Sequence, residues 1–181
     1  MTGPSPWRTT SSRTVYRNPW IRVREDEVVH PDGRAGIYGV VELPVAVFVV
    51  ALTEADEVVL VEMHRYTTGP SLEVPAGGSE GQDPLLAAQR ELREETGLQA
   101  SSWEQIGTMQ ALNGIADAPE VVFLARGLSA AEEGAEQAEE GITAVRRVPW
   151  TETMDLVSRG VIGDGESIAS LMHAALALGR L

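Results

Sequence analysis

No cysteine occurs among the 181 residues, which excludes disulfides, thiolate metal sites and cysteine nucleophiles. Basic residues are also scarce: 14 Lys and Arg stand against 27 Asp and Glu, for a formal charge of −13 and a pI near 4.6. Non-specific nucleic-acid binding and attachment to an anionic membrane both rely on basic surface, so neither partner is expected. No apolar stretch approaches the roughly 18 residues of a membrane span, and none follows a basic N-terminal segment. A soluble, cytoplasmic protein is therefore expected. Its 43% hydrophobic content suffices for a substantial core in one domain.

Residues 1–12 are rich in Ser, Thr, Pro and Gly and are expected to form a flexible tail, with Trp7 as its one side chain suited to docking. The remaining 13–181 read as a single domain, with N-terminal antiparallel strands over 13–43 and a core over 44–181. Pro31-Asp32-Gly33 supplies a turn between the first strands and the segment Ile37 to Leu43. Val45 to Leu52 is a continuous apolar run of the kind found in strands buried on both faces, and Glu57 to Met63 follows a turn of acidic residues. Those two segments are expected to pair as a core hairpin.

Further strands are expected at Trp103 to Met109 and Glu120 to Ala125, around a loop over 112–119 of the kind that often carries function. An acidic, Ala-rich segment follows at Ser129 to Gly141, a flexible surface loop or a frayed helical turn, then a strand over 142–148 and helices over 151–159 and 166–178. Ile168, Leu171, Met172 and Ala175 give the last helix an apolar packing face. Helices flanking a mixed sheet make an α/β sandwich.

The most informative stretch runs from Gly77 to Leu98. Asp83 can cap a helix, Pro84 suits its first position and Gly97 suits the left-handed residue that ends one. Leu85, Ala88 and Leu92 make an apolar stripe, while Glu91, Glu94 and Glu95 fall within an arc of roughly 100°. Like charges at this spacing repel, so a cation should compensate them. Hard oxygen ligands on a rigid element suit Mg²⁺, which takes the rest of its coordination from water and substrate phosphates. The bland reading is a solvated, charged helix face.

Arg90-Glu91-Leu92-Arg93-Glu94-Glu95-Thr96-Gly97-Leu98 matches the second half of the Nudix box, R-E-U-x-E-E-x-G-U, at every position. Leu72-Glu73-Val74-Pro75-Ala76-Gly77 resembles the segment leading into that box in ADP-ribose and nucleoside-diphosphate-sugar pyrophosphatases, and the likeness spans roughly residues 13 to 178. The first half of the box departs from the pattern. Gln82 follows Gly77 after four residues, where the family has glutamate after five; Glu80 is the nearest acidic alternative. In the family that glutamate orients the box arginine, here Arg90.

The resemblance implies a Nudix α/β/α sandwich and a metal-dependent hydrolase. Its substrate would be a nucleoside diphosphate linked to another moiety, with ADP-ribose or a nucleotide sugar leading. Glu91, Glu94 and Glu95, with the carbonyl of Ala76, would hold Mg²⁺, or Mn²⁺ as its substitute. Such a metal neutralises phosphoryl oxygens and lowers the pKa of a bound water, which then attacks phosphorus. The general base in that branch is a glutamate just before a strand that begins with isoleucine; Glu140, two residues before Ile142, and Glu139 both fit.

Arg65 resembles an arginine that lies near the substrate in these hydrolases, where its fork would bind a phosphate. Two positions differ from ADP-ribose pyrophosphatases. Asn113 stands where they carry proline, and Ile37 to Val40 lacks their arginine. Tyr16, Trp20 and Tyr38 are candidates to stack on a base. Relatives commonly form homodimers that exchange N-terminal strands, and a homodimer is expected here. The alternatives are a nucleoside triphosphate pyrophosphohydrolase and a Nudix module that senses a nucleotide sugar without cleaving it.

Overall fold

A computed structural model describes residues 5–138 and 140–180 and divides the chain into two compact units. The first comprises residues up to Pro44 together with Gln110–Pro119; the second comprises Val45–Met109 and Glu120 onward.

In the first unit, β1 (Arg8–Arg17), β2 (Arg22–Val29) and β3 (Ala35–Glu42) form an antiparallel meander, and β9 (Ala116–Asp117) adds to β3 in parallel. The turn expected at Pro31-Asp32-Gly33 is present, with the Gly33 amide bonded to the His30 carbonyl at 2.9 Å and φ +86° at Gly33. The flexible tail expected over 1–12 needs correction, because the chain is already a strand from Arg8. Arg8 pairs with Val29 and Ser12 with Asp26, so backbone hydrogen bonding orders residues whose Ser- and Thr-rich side chains give no apolar alternation. Residues 1–4 of that tail lie outside the described residues. Trp7 packs on His30 at 4.6 Å between ring centroids and edge-on to Tyr38 at 5.6 Å.

The second unit holds two sheets and three helices. One sheet runs β7 (Ala76–Gly78), β4 (Ala46–Ala51), β10 (Pro119–Ala130) and β8 (Leu98–Gln110), with β4 and β10 parallel. The other runs β11 (Ile142–Pro149), β5 (Glu57–Arg65) and β6 (Gly69–Glu73), all antiparallel. The core hairpin expected between β4 and β5 is not what forms. Both strands are largely buried on both faces, and each is an inner strand of a different sheet; an antiparallel bridge, Leu52 to Val58, joins them. Continuous apolar runs announce burial but do not name a partner strand.

The helices are α1 (Pro84–Thr96), α2 (Trp150–Ser158) and α3 (Gly165–Ala177), the last two each one residue ahead of expectation. Alternate residues of β4 face different layers. Phe48, Val50 and Leu52 pack with Leu171, Ala174 and Ala175 of α3. Val47, Val49 and Ala51 pack with Ala87, Ala88 and Leu92 of α1. A sheet layer between helices follows from that two-sided burial. No helix among the described residues is long and apolar enough to cross a membrane.

Candidate active site

Local chemistry fixes both ends of α1. Asp83 Oδ1 accepts the Leu85 amide at 2.9 Å, Pro84 opens the helix, and Gly97 closes it at φ 68° with its amide on the Arg93 carbonyl at 2.8 Å. Seating Ala87, Ala88 and Leu92 in the core draws in the carboxylates that flank them. Glu91 is 7% exposed and Glu95 3%, while Glu94 is half-buried.

Each carboxylate has a distinct partner. Glu95 accepts the Ala76 amide at 2.9 Å. Glu91 lies against Gly77, where a Cβ would overlap its carboxylate, so any side chain there must displace that carboxylate. Arg90 bridges Glu91 at 2.8 Å and Glu94 at 2.7 Å and donates to the Gly78 carbonyl at 2.8 Å. Burial opposes the charge on Arg90, but Glu91, Glu94 and then Glu80 outweigh it and raise its pKa. Glu80 thus contributes to the support of Arg90 that Gln82 cannot give as a charge. It does so from a left-handed conformation, φ 51°, beside Gly81 at φ 80°.

Burial pushes Glu91 up to about 7, opposed by Arg90 and reinforced by Glu94 and Glu140. Burial pushes Glu95 up to about 8, opposed by the Ala76 amide and reinforced by Glu91. Such carboxylates ionise readily only beside a cation, and a bound divalent ion inverts the local preference. Hard oxygens on a rigid helix therefore fit a divalent metal. Among the described residues no three Asp, Glu or His side chains converge on one point as they stand; Arg90 holds Glu91 and Glu94 instead.

Glu140 is exposed on the loop after β10, and its charge adds to the upward shift of both Glu91 and Glu95. Glu139, the other expected candidate for the base, lies outside the described residues. Arg65, at the end of β5, forks onto Glu73 at 3.1 and 2.5 Å, leaving 46% of its side chain exposed, and also feels Glu95 and Asp164.

Two buried acids of the second unit were not singled out by sequence reasoning. Glu73, 4% exposed, holds Arg65, and Glu120, 6% exposed at the start of β10, is raised to about 7 by burial and by the charges of Glu166 and Asp164. The signal was available at Glu120, which shares the two-residue period of buried Val122 and Leu124. In the first unit, Arg24, Tyr38, Val40 and the loop 113–117 line a pocket of about 310 Å³, with the Tyr38 hydroxyl on the Gly114 carbonyl at 2.5 Å. Tyr16 and Trp20 are both exposed.

Residues 42–171 match the NUDIX domain, and residues 7–41 match the nucleoside diphosphate sugar hydrolase N-terminal domain. The chain belongs to the Nudix family. An ADP-ribose pyrophosphatase of Mycobacterium tuberculosis is 34% identical over 169 residues, covering 92% of this chain and 82% of that one. An ADP-ribose pyrophosphatase of Bacillus subtilis is 30% identical, covering 93% and 92%. A crystal structure of an ADP compounds hydrolase superposes with a TM-score of 0.83 over the whole of both chains at 19% identity, a likeness of fold.

This Nudix protein is thus an ADP-ribose pyrophosphatase-like hydrolase acting on small-molecule nucleoside diphosphate derivatives, in a family that generally uses a divalent metal. The expected α/β architecture and enzyme class stand.

Proposed function

We propose that this Nudix hydrolase cleaves the pyrophosphate of ADP-ribose or a closely related nucleotide sugar, with Mg²⁺ as its metal and Mn²⁺ as a substitute. The observation that carries the reading is the burial of Glu91 and Glu95 along one face of α1, with Arg90 bridging Glu91 to Glu94, the Ala76 amide on Glu95, and the charge of Arg65 acting on Glu95. Glu91, Glu94, Glu95 and the Ala76 carbonyl would hold the metal. When bound, it neutralises phosphoryl oxygens and lowers the pKa of a water.

The chain's own residues do the rest. Arg90 orients Glu91 and Glu94 through its two ion pairs. The Ala76 amide fixes Glu95, and Gly77 leaves the room that Glu91 needs. Glu140, exposed and thus able to trade a proton with solvent, takes the proton of the attacking water, with Glu139 as its alternative. The Arg65 fork, held by Glu73, binds a substrate phosphate.

Residues 13–181 would act as one functional domain and pair as a homodimer. Two observations support the pairing: β1 is exposed along its whole length, and Tyr16, Trp20 and Ile37 are exposed at 54%, 73% and 68%. Light scattering should give twice the chain mass; a concentration-independent monomer counts against it.

Product analysis tests the substrate. ADP-ribose with Mg²⁺ should yield AMP and ribose 5-phosphate; release of pyrophosphate from a nucleoside triphosphate, with ADP-ribose untouched, would move the enzyme to another Nudix class. Replacing Glu139 and Glu140 together by Gln should lower turnover about 10²- to 10⁴-fold at saturating Mg²⁺.

A further inference from the structure

We propose that Arg93, at the variable position of the box, is the seat on which residues 131–138 rest, and that it acts as a positioning residue for Glu140. The inference rests on the assignment of Glu140 as general base, and it concerns how that base reaches the metal-ligand helix.

The last carbonyls of a helix have no partner within it and must be satisfied from elsewhere. At the end of α1 the loop provides those partners. The Glu136 amide donates to the Glu94 carbonyl at 2.8 Å, and the Ala131 amide donates to the Gly97 carbonyl at 2.9 Å. Glu94 is therefore both a candidate metal ligand through its side chain and an anchor of the loop through its backbone.

Between these two bonds the loop passes over Arg93. Gly134 sits at φ +90°, and a Cβ there would lie 2.7 Å from Arg93 Nε and 3.1 Å from its Cδ, so the arginine stem lies flat against the glycine backbone. Further along, Ala135 and Gln137 approach Gly97, each 3.7 Å from where a Cβ would stand. The Glu140 amide then bonds back to the Glu136 carbonyl at 3.1 Å, and the Ile142 amide to the Gln137 carbonyl at 2.9 Å. Placing Glu136 thus places Glu140. In sequence the segment 131–141 carries Glu132, Glu133, Glu136, Glu139 and Glu140 and no basic residue, so a guanidinium beside it also offsets its charge.

Among the described residues Arg90, not Arg93, makes the ion pairs to Glu91 and Glu94, so the effect of Arg93 runs through the loop. A shorter side chain removes the seat, whereas lysine keeps most of the alkyl stem. Alanine at 134 tests the same contact from the other side.

Two measurements on the full-length enzyme decide the matter. In steady-state hydrolysis at saturating Mg²⁺, Arg93→Ala should lower kcat about 10-fold, leave KM and the Mg²⁺ half-saturation within about twofold, and be largely rescued by Arg93→Lys. In the Glu140→Gln background the same Arg93→Ala change should cost less than twofold. An equal loss in both backgrounds, or no loss in wild type, overturns the coupling to Glu140.

Hydrogen exchange reads the seat independently of the base. The Glu136 amide should exchange at least 10-fold faster in Arg93→Ala and in Gly134→Ala than in wild type, while amides of β4 stay unchanged. Unchanged exchange at Glu136 overturns the seat. If Glu140→Gln leaves turnover intact while exchange at Glu136 still rises in Arg93→Ala, the assignment of the base fails and the seat stands.

Discussion

Replacing Glu95 by Gln separates what this carboxylate does for folding from what it does for catalysis. Glu95 is 3% exposed and is raised from an ordinary 4.5 to about 8, chiefly by burial. Its folded pKa exceeds its unfolded one, so between pH 4.5 and 8 the folded chain holds a proton that the unfolded chain has released. Metal-free stability therefore falls as pH rises through that window, and the full penalty is present above pH 8. Each tenfold change in proton affinity is worth about 1.4 kcal/mol, which sets an upper limit near 5 kcal/mol; relaxation and water entry bring about 2 kcal/mol into reach of measurement.

Gln is nearly isosteric and its carbonyl can still accept the Ala76 amide. In EDTA at pH 9, Glu95→Gln should thus melt about 4–8 °C above wild type, and the difference should vanish near pH 5. Mg²⁺ reverses the order. Wild type gains stability with metal concentration as RT ln(1 + [L]/Kd), the variant gains far less, and hydrolysis is lost with it. The assay is thermal unfolding across pH, with EDTA and with Mg²⁺. A variant that melts below wild type in EDTA at pH 9, or that gains as much from Mg²⁺, would refute the reasoning.

Three further outcomes follow from other contacts. Gly77→Ala forces a methyl into the Glu91 carboxylate, so Mg²⁺ half-saturation should rise at least about 10-fold, with about 1–3 kcal/mol of stability lost to overpacking; titrating activity with metal checks it. Glu120→Gln should flatten the stability profile between pH 4.5 and 7, because wild-type Glu120 is raised to about 7 and so loses stability as pH climbs through that window; the gain at pH 8 should be about 1–2 kcal/mol by denaturant titration. Arg180→Ala removes a two-pronged ion pair to Asp56, at 2.6 and 3.2 Å, and a stack 4.6 Å over Trp150, and should lower Tm by about 2–4 °C without touching kcat.

Much of the site was legible in the chain because it is local. The cap at Asp83, the left-handed Gly97 and the helical spacing of Glu91 and Glu95 are all decided within one turn or two, and the structure reproduces each. The partnering of strands was not legible. Val45 to Leu52 and Glu57 to Met63 read as neighbours, yet two-sided burial let each become an inner strand of a different sheet. Arg8 to Ser12 carries no apolar alternation and is ordered by backbone pairing with β2, which side-chain patterns do not report. The Glu73 and Arg65 fork and the amide caps that tie Glu136 to Glu94 join residues 8 and 42 positions apart in number, respectively, and depend on how the chain folds back.

The most direct measurement is turnover of a panel of ADP-ribose, sugar nucleotides, dinucleotides and nucleoside triphosphates with Mg²⁺ or Mn²⁺, comparing wild type with Glu95→Gln. The account predicts metal-dependent cleavage centred on ADP-ribose or a nucleotide sugar, lost in the variant. Tight binding of one compound without cleavage, or turnover that survives the loss of Glu95, would contradict it.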